Sequence, residues 1–420
     1  MIAKTKFRTL IHNLGLSYTN SFLAFIILMI LAKMLGADAY SMVAIGVAAG
    51  GFIIPLVDLG SAKTFVRDAV QLKQKTSVED IVANSYSSRL TVLLMVVVVL
   101  FAGCYFIVED KVSAITIAML SLWVGLMGLY PTSWFDYKHK TFYQNLCVFI
   151  ERLVGLSFIV SLFYIEIENY EALILSIVLV STRVLFIVVQ IKLWMFITNN
   201  NNVKFRLKIP ALKSPGINLI FSLSLISNAM LTYGNQLVFS WTGDPVELSS
   251  YSLAFQMVGL VFLFQSQALR LINRVISEVC IEAEFRRTFR KFLMHTAFLV
   301  LFSAFLASVI YFASLYLPVF LDDERFNKIN EFIPILCIWI VIVGAGQVVT
   351  QYLLEFKQEL FYLYVCVCSG FISLMLGIYY IPDNSAEYIA YILLFTHGGA
   401  IVVSALRLLS LNAFLPRRVS

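Results

Sequence analysis

Charged residues are scarce in this sequence: Asp, Glu, Lys and Arg make up 13% of its 420 residues, against roughly 25% in an average soluble domain. Hydrophobic residues reach 60%, which is more than a soluble core can bury but suits a lipid environment. The scarcity of charge therefore excludes a water-soluble fold. The formal net charge of +6 is better explained by basic residues on one side of a membrane than by nucleic acid binding, so we expect no nucleic acid partner.

The motifs of metal sites and of enzymes are also missing. The six cysteines form no CxxC pair, and the four histidines are too scattered along the chain to build a metal site. The chain has neither a phosphate-binding P-loop nor a G-x-S-x-G nucleophile motif. We therefore expect no metal, no cofactor and no catalytic activity.

Long apolar runs are what the sequence has in abundance. A helix needs about 20 apolar residues to cross the hydrocarbon of a bilayer. Twelve runs qualify: 10–34, 39–60, 86–108, 113–131, 146–165, 172–196, 217–241, 247–269, 292–317, 330–351, 361–381 and 387–409. The sequence thus predicts an all-α integral membrane protein with twelve transmembrane helices, and membrane lipids are its immediate partners.

Basic residues are unequally distributed between the two ends of these spans. Of the 31 Lys and Arg residues, 26 fall on one side, four (Lys33, Lys111, Arg325 and Lys328) fall on the other, and Arg183 lies inside a span. Because cytoplasmic loops carry the excess of Lys and Arg, both termini are predicted to be cytoplasmic.

A polar interruption in the middle of the chain divides the spans into two groups of six. It contains the asparagine run 199–202. We predict an N-terminal six-helix bundle at 1–198, a cytoplasmic linker at 199–216 and a C-terminal six-helix bundle at 217–420. Because six spans precede the second half, the two halves run in the same direction through the membrane. In transporters, such parallel repeats place the substrate path between the halves, here a central cavity.

Arg183 is the basic residue predicted to lie deepest. The helical rise places it roughly 18 Å from Glu171 and roughly 13 Å from Lys192, which mark the two ends of its span. A charge at that depth costs roughly 3 kcal/mol or more unless it contacts water or a partner. No acid is expected at a comparable depth. Arg183 therefore either packs in the bundle against backbone carbonyls or lines an aqueous, substrate-binding cavity.

Two further arginines are weaker cavity candidates. Arg152 is about 21 Å from Glu166 and so lies some way into the membrane, where anchoring and substrate binding are both open. Arg89 is about 30 Å from Glu109, near the cytoplasmic edge. This position favours a solvated anchor for Arg89 over a residue that binds substrate.

The first span of each half carries polar residues on one stripe. Ser17 and Asn20 share a stripe in span one, and Asn228, Thr232 and Asn235 share one in span seven. Such stripes either join helix to helix or line a wet path. Their equivalent placement in both halves favours the path.

His397 lies near the middle of span twelve, ten residues from both Glu387 and Arg407. A histidine at that depth is a candidate for proton coupling. The alternative is a packing histidine that forms a hydrogen bond to a neighbouring helix.

Three motifs resemble those of O-antigen flippases of the Wzx type, in the polysaccharide-transporter branch of the superfamily that also contains multidrug and toxin extruders. The stretch 32–40 (AKMLGADAY) is similar to the A-x-x-L-G-x-x-x-[FY] of the family's first hairpin. Asp58-Leu59-Gly60 with Arg67 is similar to its D-x-G…R, and 131–135 (PTSWF) is similar to its P-x-W-[FY]-[FY]. The residues that follow, 136–139 (DYKH), depart from the family's F-Q-G-x-E continuation.

The resemblance implies a flippase of the bacterial inner membrane. Its substrate would be an undecaprenyl-diphosphate-linked O-antigen or related oligosaccharide, moved from the cytoplasmic to the periplasmic leaflet, and its partners would include the O-antigen polymerase machinery. The alternative is a multidrug or cation antiporter of the related extruder branch. That alternative predicts acidic residues deep in the bundle, whereas Asp58 and Glu151 are both expected near the cytoplasmic end of their spans.

Overall fold

The described residues of the computed structural model are 2–71, 77–138, 140–163, 171–198, 209, 213–214, 217–282, 285–382 and 384–410. Nearly all of them are helical, as expected for an apolar chain whose backbone groups must be satisfied internally in lipid. The predicted linker 199–216 lies almost wholly outside the described residues. The chain divides into two compact units, Met1–Ala229 and Met230–Ser420.

In its described residues, the first unit contains seven helices and the beginning of an eighth. The helices are α1 (Ile2–Asp58), α2 (Ser61–Gln71), α3 (Val78–Ile107), α4 (Lys111–Gly125), α5 (Thr132–Tyr137), α6 (Thr141–Phe163) and α7 (Glu171–Thr198), with a 3₁₀ turn at Leu126–Leu129. A two-residue antiparallel ladder, β1 (Lys213–Ser214) with β2 (Ile217–Asn218), precedes α8 (Leu219–Thr242).

The described part of the second unit contains the remainder of α8 and six further helices. They are α9 (Pro245–Glu282), α10 (Phe285–Ser314), α11 (Leu317–Leu321), α12 (Ile329–Glu355), α13 (Glu359–Tyr380) and α14 (Glu387–Ser410), with a 3₁₀ turn at Glu324–Lys328. Its buried apolar side chains include Leu299, Val348 and Tyr352, where α10 and α12 pack together.

Ten helical segments of the described chain are long and apolar enough to cross a membrane. The first, Gly15–Asp58, is 44 residues long and contains the first two predicted spans, which meet at a non-helical Gly36. Helix α8 has the length of a span at 24 residues but is not among the ten, and it carries the polar stripe noted above. These segments match the predicted all-helical membrane architecture, with twelve as an approximate count.

Helix α4 packs closely along the second half of α1. A Cβ added at Gly46 would lie 2.4 Å from the Leu120 side chain, and one added at Gly50 would lie 2.4 Å from that of Val124. Two glycines four residues apart therefore allow the two backbones to approach, as small residues do between helices in membranes. The 3₁₀ turn that follows α4 is buried as well, at Leu126, Gly128 and Leu129.

The first unit ends inside α8, thirteen residues beyond the boundary predicted at 216. The start of α8 is attached to the end of α1: the Asn218 amide donates to the Leu59 carbonyl at 3.0 Å, and the Ser222 hydroxyl donates to the Pro55 carbonyl at 2.9 Å. Gly60 in the same turn has a φ of 72°. One helix thus belongs to both units.

Candidate functional site

Arg183 lies in the interior of the first unit, where it forms an ion pair. Its Nε is 2.8 Å from Oε1 of Glu151 on α6, and the side chains are 5% and 4% exposed. Its Nη1 donates to the Trp123 carbonyl at 2.6 Å, and its guanidinium lies 4.8 Å from the centre of the Trp123 ring. The prediction that no acid lies at this depth is therefore wrong.

Glu151 was missed because its helix begins earlier than predicted. The hydropathy run began at 146, which placed Glu151 near the cytoplasmic end, but α6 spans Thr141–Phe163. Glu151 is ten residues into this helix, about 15 Å from its start. Its Oε2 accepts a hydrogen bond from the Tyr130 hydroxyl at 2.6 Å. Both carboxylate oxygens are thus engaged.

Arg152 brings a second positive charge to the same cluster. It is partly buried and lies within electrostatic range of Tyr130, Glu151 and Arg183. Its Nη1 is buried and has no hydrogen-bond partner within the described residues. The cluster contains two guanidinium groups and one carboxylate, so it carries a surplus of one positive charge. We refer to Tyr130, Glu151, Arg152 and Arg183 as the charge cluster.

Arg89 on α3 holds the backbone next to this cluster. It is 1% exposed, so it is not the solvated anchor that its position in the sequence favoured. Its Nε donates to the Gly128 carbonyl at 3.1 Å, and its Nη2 donates to the carbonyls of Gly128 and of Tyr130, the latter at 3.0 Å. Asp58 lies 3.8 Å from the same nitrogen.

The 3₁₀ turn explains why Arg89 is needed at this position. Helix α4 ends at Gly125, and Pro131, which has no N–H to continue a helical ladder, follows Tyr130. The carbonyls of Gly128 and Tyr130 would otherwise lack donors, which is costly in a buried backbone. Arg89 satisfies both carbonyls and thereby fixes Tyr130, whose hydroxyl reaches Glu151.

Asn20 of span one contacts the helix that carries Glu151. Asn20 is 6% exposed, and its Nδ2 donates to the Asn145 carbonyl on α6 at 2.9 Å. Asn145 precedes Glu151 by six residues, or about 9 Å along the helix. Ser17 is half-buried, and its backbone carbonyl accepts from the Ser21 hydroxyl at 3.1 Å. Asn20 therefore joins α1 to α6. Of the two roles that the sequence left open for this stripe, this contact corresponds to helix packing.

The stripe of α8 is divided between the two units. Asn228 and Thr232 are half-buried, and the unit boundary passes between them. Asn235 is 1% exposed; its Nδ2 donates to Ser373 on α13 at 3.0 Å, and Gly377 lies against its side-chain oxygen. Asn235 thus joins α8 to α13 within the second unit.

His397 also has a partner on a neighbouring helix. Its Nδ1 accepts a hydrogen bond from the Trp339 indole nitrogen at 3.0 Å, with the two ring centres 5.8 Å apart. This contact joins α14 to α12 and is the packing alternative that the sequence left open. Within the residues that the structure describes, no group of three or more His, Cys, Asp or Glu side chains could hold a metal ion.

Of the predicted site residues, the structure brings Arg152 and Arg183 together, with Arg89 linked to them through the backbone of Tyr130. Glu151 and Tyr130 were not predicted as site residues. Glu151 could have been recognised from the sequence, because it forms a pair of adjacent charged residues with Arg152 inside an apolar run. Tyr130 had no comparable signal, because its role depends on the 3₁₀ turn and on Arg89.

Comparison with known proteins gives a family and a fold. Residues 8–276 match the family model described as polysaccharide biosynthesis protein. No curated protein matches the chain.

Solved structures of MATE transporters share the fold over almost the whole chain. An inward-facing conformation of a multidrug resistance MATE family transporter of the MOP superfamily has a TM-score of 0.66 at 11% identity, covering 96% of this chain and 99% of that one. A MATE structure in complex with MaD5 has a TM-score of 0.64 at 10% identity, covering 96% of each chain. An outward-facing conformation of a multidrug resistance MATE family transporter has a TM-score of 0.61 at 9% identity, covering 96% of each chain.

The family match covers more than half of the chain and confirms the polysaccharide-transporter resemblance seen in the sequence. This chain therefore belongs to the polysaccharide biosynthesis protein family, and it has the fold of the MATE transporters of the MOP superfamily.

Proposed function

We propose that the protein is a flippase for an undecaprenyl-diphosphate-linked O-antigen or related oligosaccharide. It moves this lipid from the cytoplasmic to the periplasmic leaflet of the bacterial inner membrane by alternating access. The observation that carries the proposal is the surplus positive charge of the charge cluster, in which Arg152 has a buried nitrogen without a hydrogen-bond partner within the described residues. The family supports a saccharide substrate, and the fold supports transport.

A diphosphate is the part of this substrate that the charge cluster would bind. It carries at least two negative charges, and one such charge about 4 Å from a guanidinium gains on the order of 4 kcal/mol at an effective dielectric of 20. Arg152 is the first ligand in this scheme, because Arg183 is already paired with Glu151. The sugar and the lipid tail would remain outside the charge cluster, in water and in the bilayer.

The proposal is tested by substituting Arg152 in cells that lack the chromosomal gene. Arg152→Ala should lower the appearance of lipid-linked oligosaccharide in the periplasmic leaflet by about tenfold or more, equivalent to about 1.4 kcal/mol of lost binding. Arg325→Ala is the matched control, because Arg325 is a half-exposed arginine paired with Asp323. Transfer by Arg152→Ala at the wild-type rate, with equal amounts of protein in the membrane, would contradict the proposed function.

The second candidate is a cation-coupled antiporter of the extruder type. It is favoured by Glu151, since a buried acid is what such a mechanism needs and the sequence placed none at this depth. Against it, one oxygen of Glu151 is bound by Arg183 and the other by Tyr130. If this candidate were correct, proteoliposomes would export a cationic dye on imposition of a sodium or proton gradient, and Glu151→Gln would abolish that export.

A further inference from the structure

Glu151 carries the only negative charge of the charge cluster. Its Oε1 is 2.8 Å from Nε of Arg183. Arg152 is the residue that follows Glu151 in the sequence. An anion that enters the cluster therefore meets a carboxylate that already occupies one of the two guanidinium groups. The two anions cannot use the same nitrogen atoms of Arg183.

We propose that Glu151 is a resident competitor for the diphosphate of the substrate, and that Tyr130 is the positioning residue that keeps it on Arg183. Held there, the carboxylate leaves Arg152 free to accept the incoming anion. This inference rests on the proposed function and deepens it, because it names the group that limits affinity at the same site.

The charge balance explains why a transporter would keep such a competitor. Two unopposed guanidinium groups at low dielectric would hold a diphosphate very tightly, whereas transport requires binding that is weak enough for release. Glu151 cancels one of the two positive charges. It also gives the buried guanidinium of Arg183 a partner whenever the substrate is absent.

Tyr130 is suited to direct the carboxylate to one arginine. Its hydroxyl donates to Oε2 of Glu151 at 2.6 Å, on the oxygen that Arg183 does not bind. Its own backbone is fixed by the hydrogen bond from Arg89 to its carbonyl. Without the hydroxyl, the carboxylate gains the freedom to turn from Arg183 towards Arg152 and compete there with the anion.

Binding of inorganic diphosphate to the purified full-length protein, measured by isothermal titration calorimetry, tests both roles. Glu151→Gln should tighten binding by about tenfold or more, because it removes an opposing charge from the site. Tyr130→Phe should weaken binding several-fold. In the double variant, Tyr130→Phe should have no effect, because Tyr130 acts only through the charge on Glu151.

The signs of these effects separate competition from simple disruption of the fold. If Glu151 and Tyr130 were merely structural, both single variants would weaken binding, and Tyr130→Phe would weaken it equally when combined with Glu151→Gln. Glu247→Gln, which removes a carboxylate paired with Lys328, and Tyr352→Phe, which removes a hydroxyl bonded to His295, are the matched controls and should leave binding unchanged.

The outcomes also separate this inference from the function on which it rests. Diphosphate bound equally well by the wild type and by Glu151→Gln would overturn the competitor role and leave the anion site intact. No diphosphate binding by either protein would reject the anion site, and both proposals with it. Should Glu151→Gln fold poorly, Glu151→Ala removes the same charge and should likewise tighten binding, and weaker or equal binding by it overturns the inference. Unchanged or tighter binding by Tyr130→Phe overturns the inference as well.

Discussion

Arg183 and Glu151 neutralise each other in a part of the first unit where a lone charge would be expensive to bury. The side chains of Arg183 and Glu151 are 5% and 4% exposed, so water does not solvate either charge. A buried pair adds little net stability compared with apolar residues, but loss of one partner leaves an uncompensated charge. The two substitutions should therefore have strongly coupled effects on stability.

We expect Arg183→Met to lower the free energy of unfolding by about 3–5 kcal/mol, because Glu151 would remain buried without its partner. Arg183→Met combined with Glu151→Gln should recover most of this loss. Thermal unfolding of the detergent-solubilised variants measures both effects. A double variant as unstable as the single one would show that the pair is not the source of the loss.

His397→Gln should leave export intact. A glutamine side chain carries an oxygen that can accept the hydrogen bond from the Trp339 indole in place of Nδ1. Leaflet transfer of the lipid-linked oligosaccharide should match the wild type at equal expression. Loss of transfer in this variant would restore proton coupling as the role of His397.

The depth of Arg183 was predictable from the sequence, but its partner was not. Distances along a single helix follow from the rise per residue, so a residue in the middle of a long apolar run must lie deep. The partner depends on where a second helix begins, and hydropathy alone did not include the first five residues of α6. The position of Glu151 was misjudged for that reason.

At the scale of the helix, the apolar runs predicted the membrane spans but not the 3₁₀ turn between α4 and α5. The predicted spans 10–34 and 39–60 are two helices that meet at Gly36, whose φ of 68° and ψ of 173° interrupt the helical hydrogen-bond ladder. The 3₁₀ turn after α4 was not predicted. It is stabilised by Arg89, from another helix, and such tertiary contacts leave no local sequence pattern.

Gly60→Ala should destabilise the turn that attaches α8 to α1. The residue has a φ of 72°, and an added Cβ would lie 2.4 Å from the Asn218 carbonyl oxygen. We expect a loss of about 2 kcal/mol in unfolding free energy and faster hydrogen exchange at the Asn218 amide. Gly103→Ala is the control, since a Cβ there meets nothing within 4 Å. Equal effects of the two variants would contradict this account of the turn.

At the scale of the whole molecule, composition and the length of the apolar runs were enough to predict an all-helical membrane protein. The helical content and the ten long apolar helical segments of the described chain agree with that prediction. Orientation in the membrane depends on Lys and Arg in loops, several of which lie outside the described residues. It therefore remains a prediction from the sequence.

Orientation can be measured with single cysteines in a variant that lacks the native ones. Glu109→Cys, in the short loop before α4, should react with a membrane-impermeant maleimide in intact spheroplasts. Lys357→Cys, between α12 and α13, should react only after permeabilisation, because the basic side is cytoplasmic. The reverse pattern would contradict the predicted topology.

The sharing of α8 between the units has a consequence for a protein cut in two. A fragment that begins at 210 would retain Asn218 and Ser222, which form hydrogen bonds to Leu59 and Pro55. It should therefore bind a fragment that ends at 209. Co-expressed, the two pieces should co-purify through an affinity tag on one of them. Starting the second piece at 230 should greatly reduce its recovery, and equal recovery would show that this segment is dispensable for reassembly.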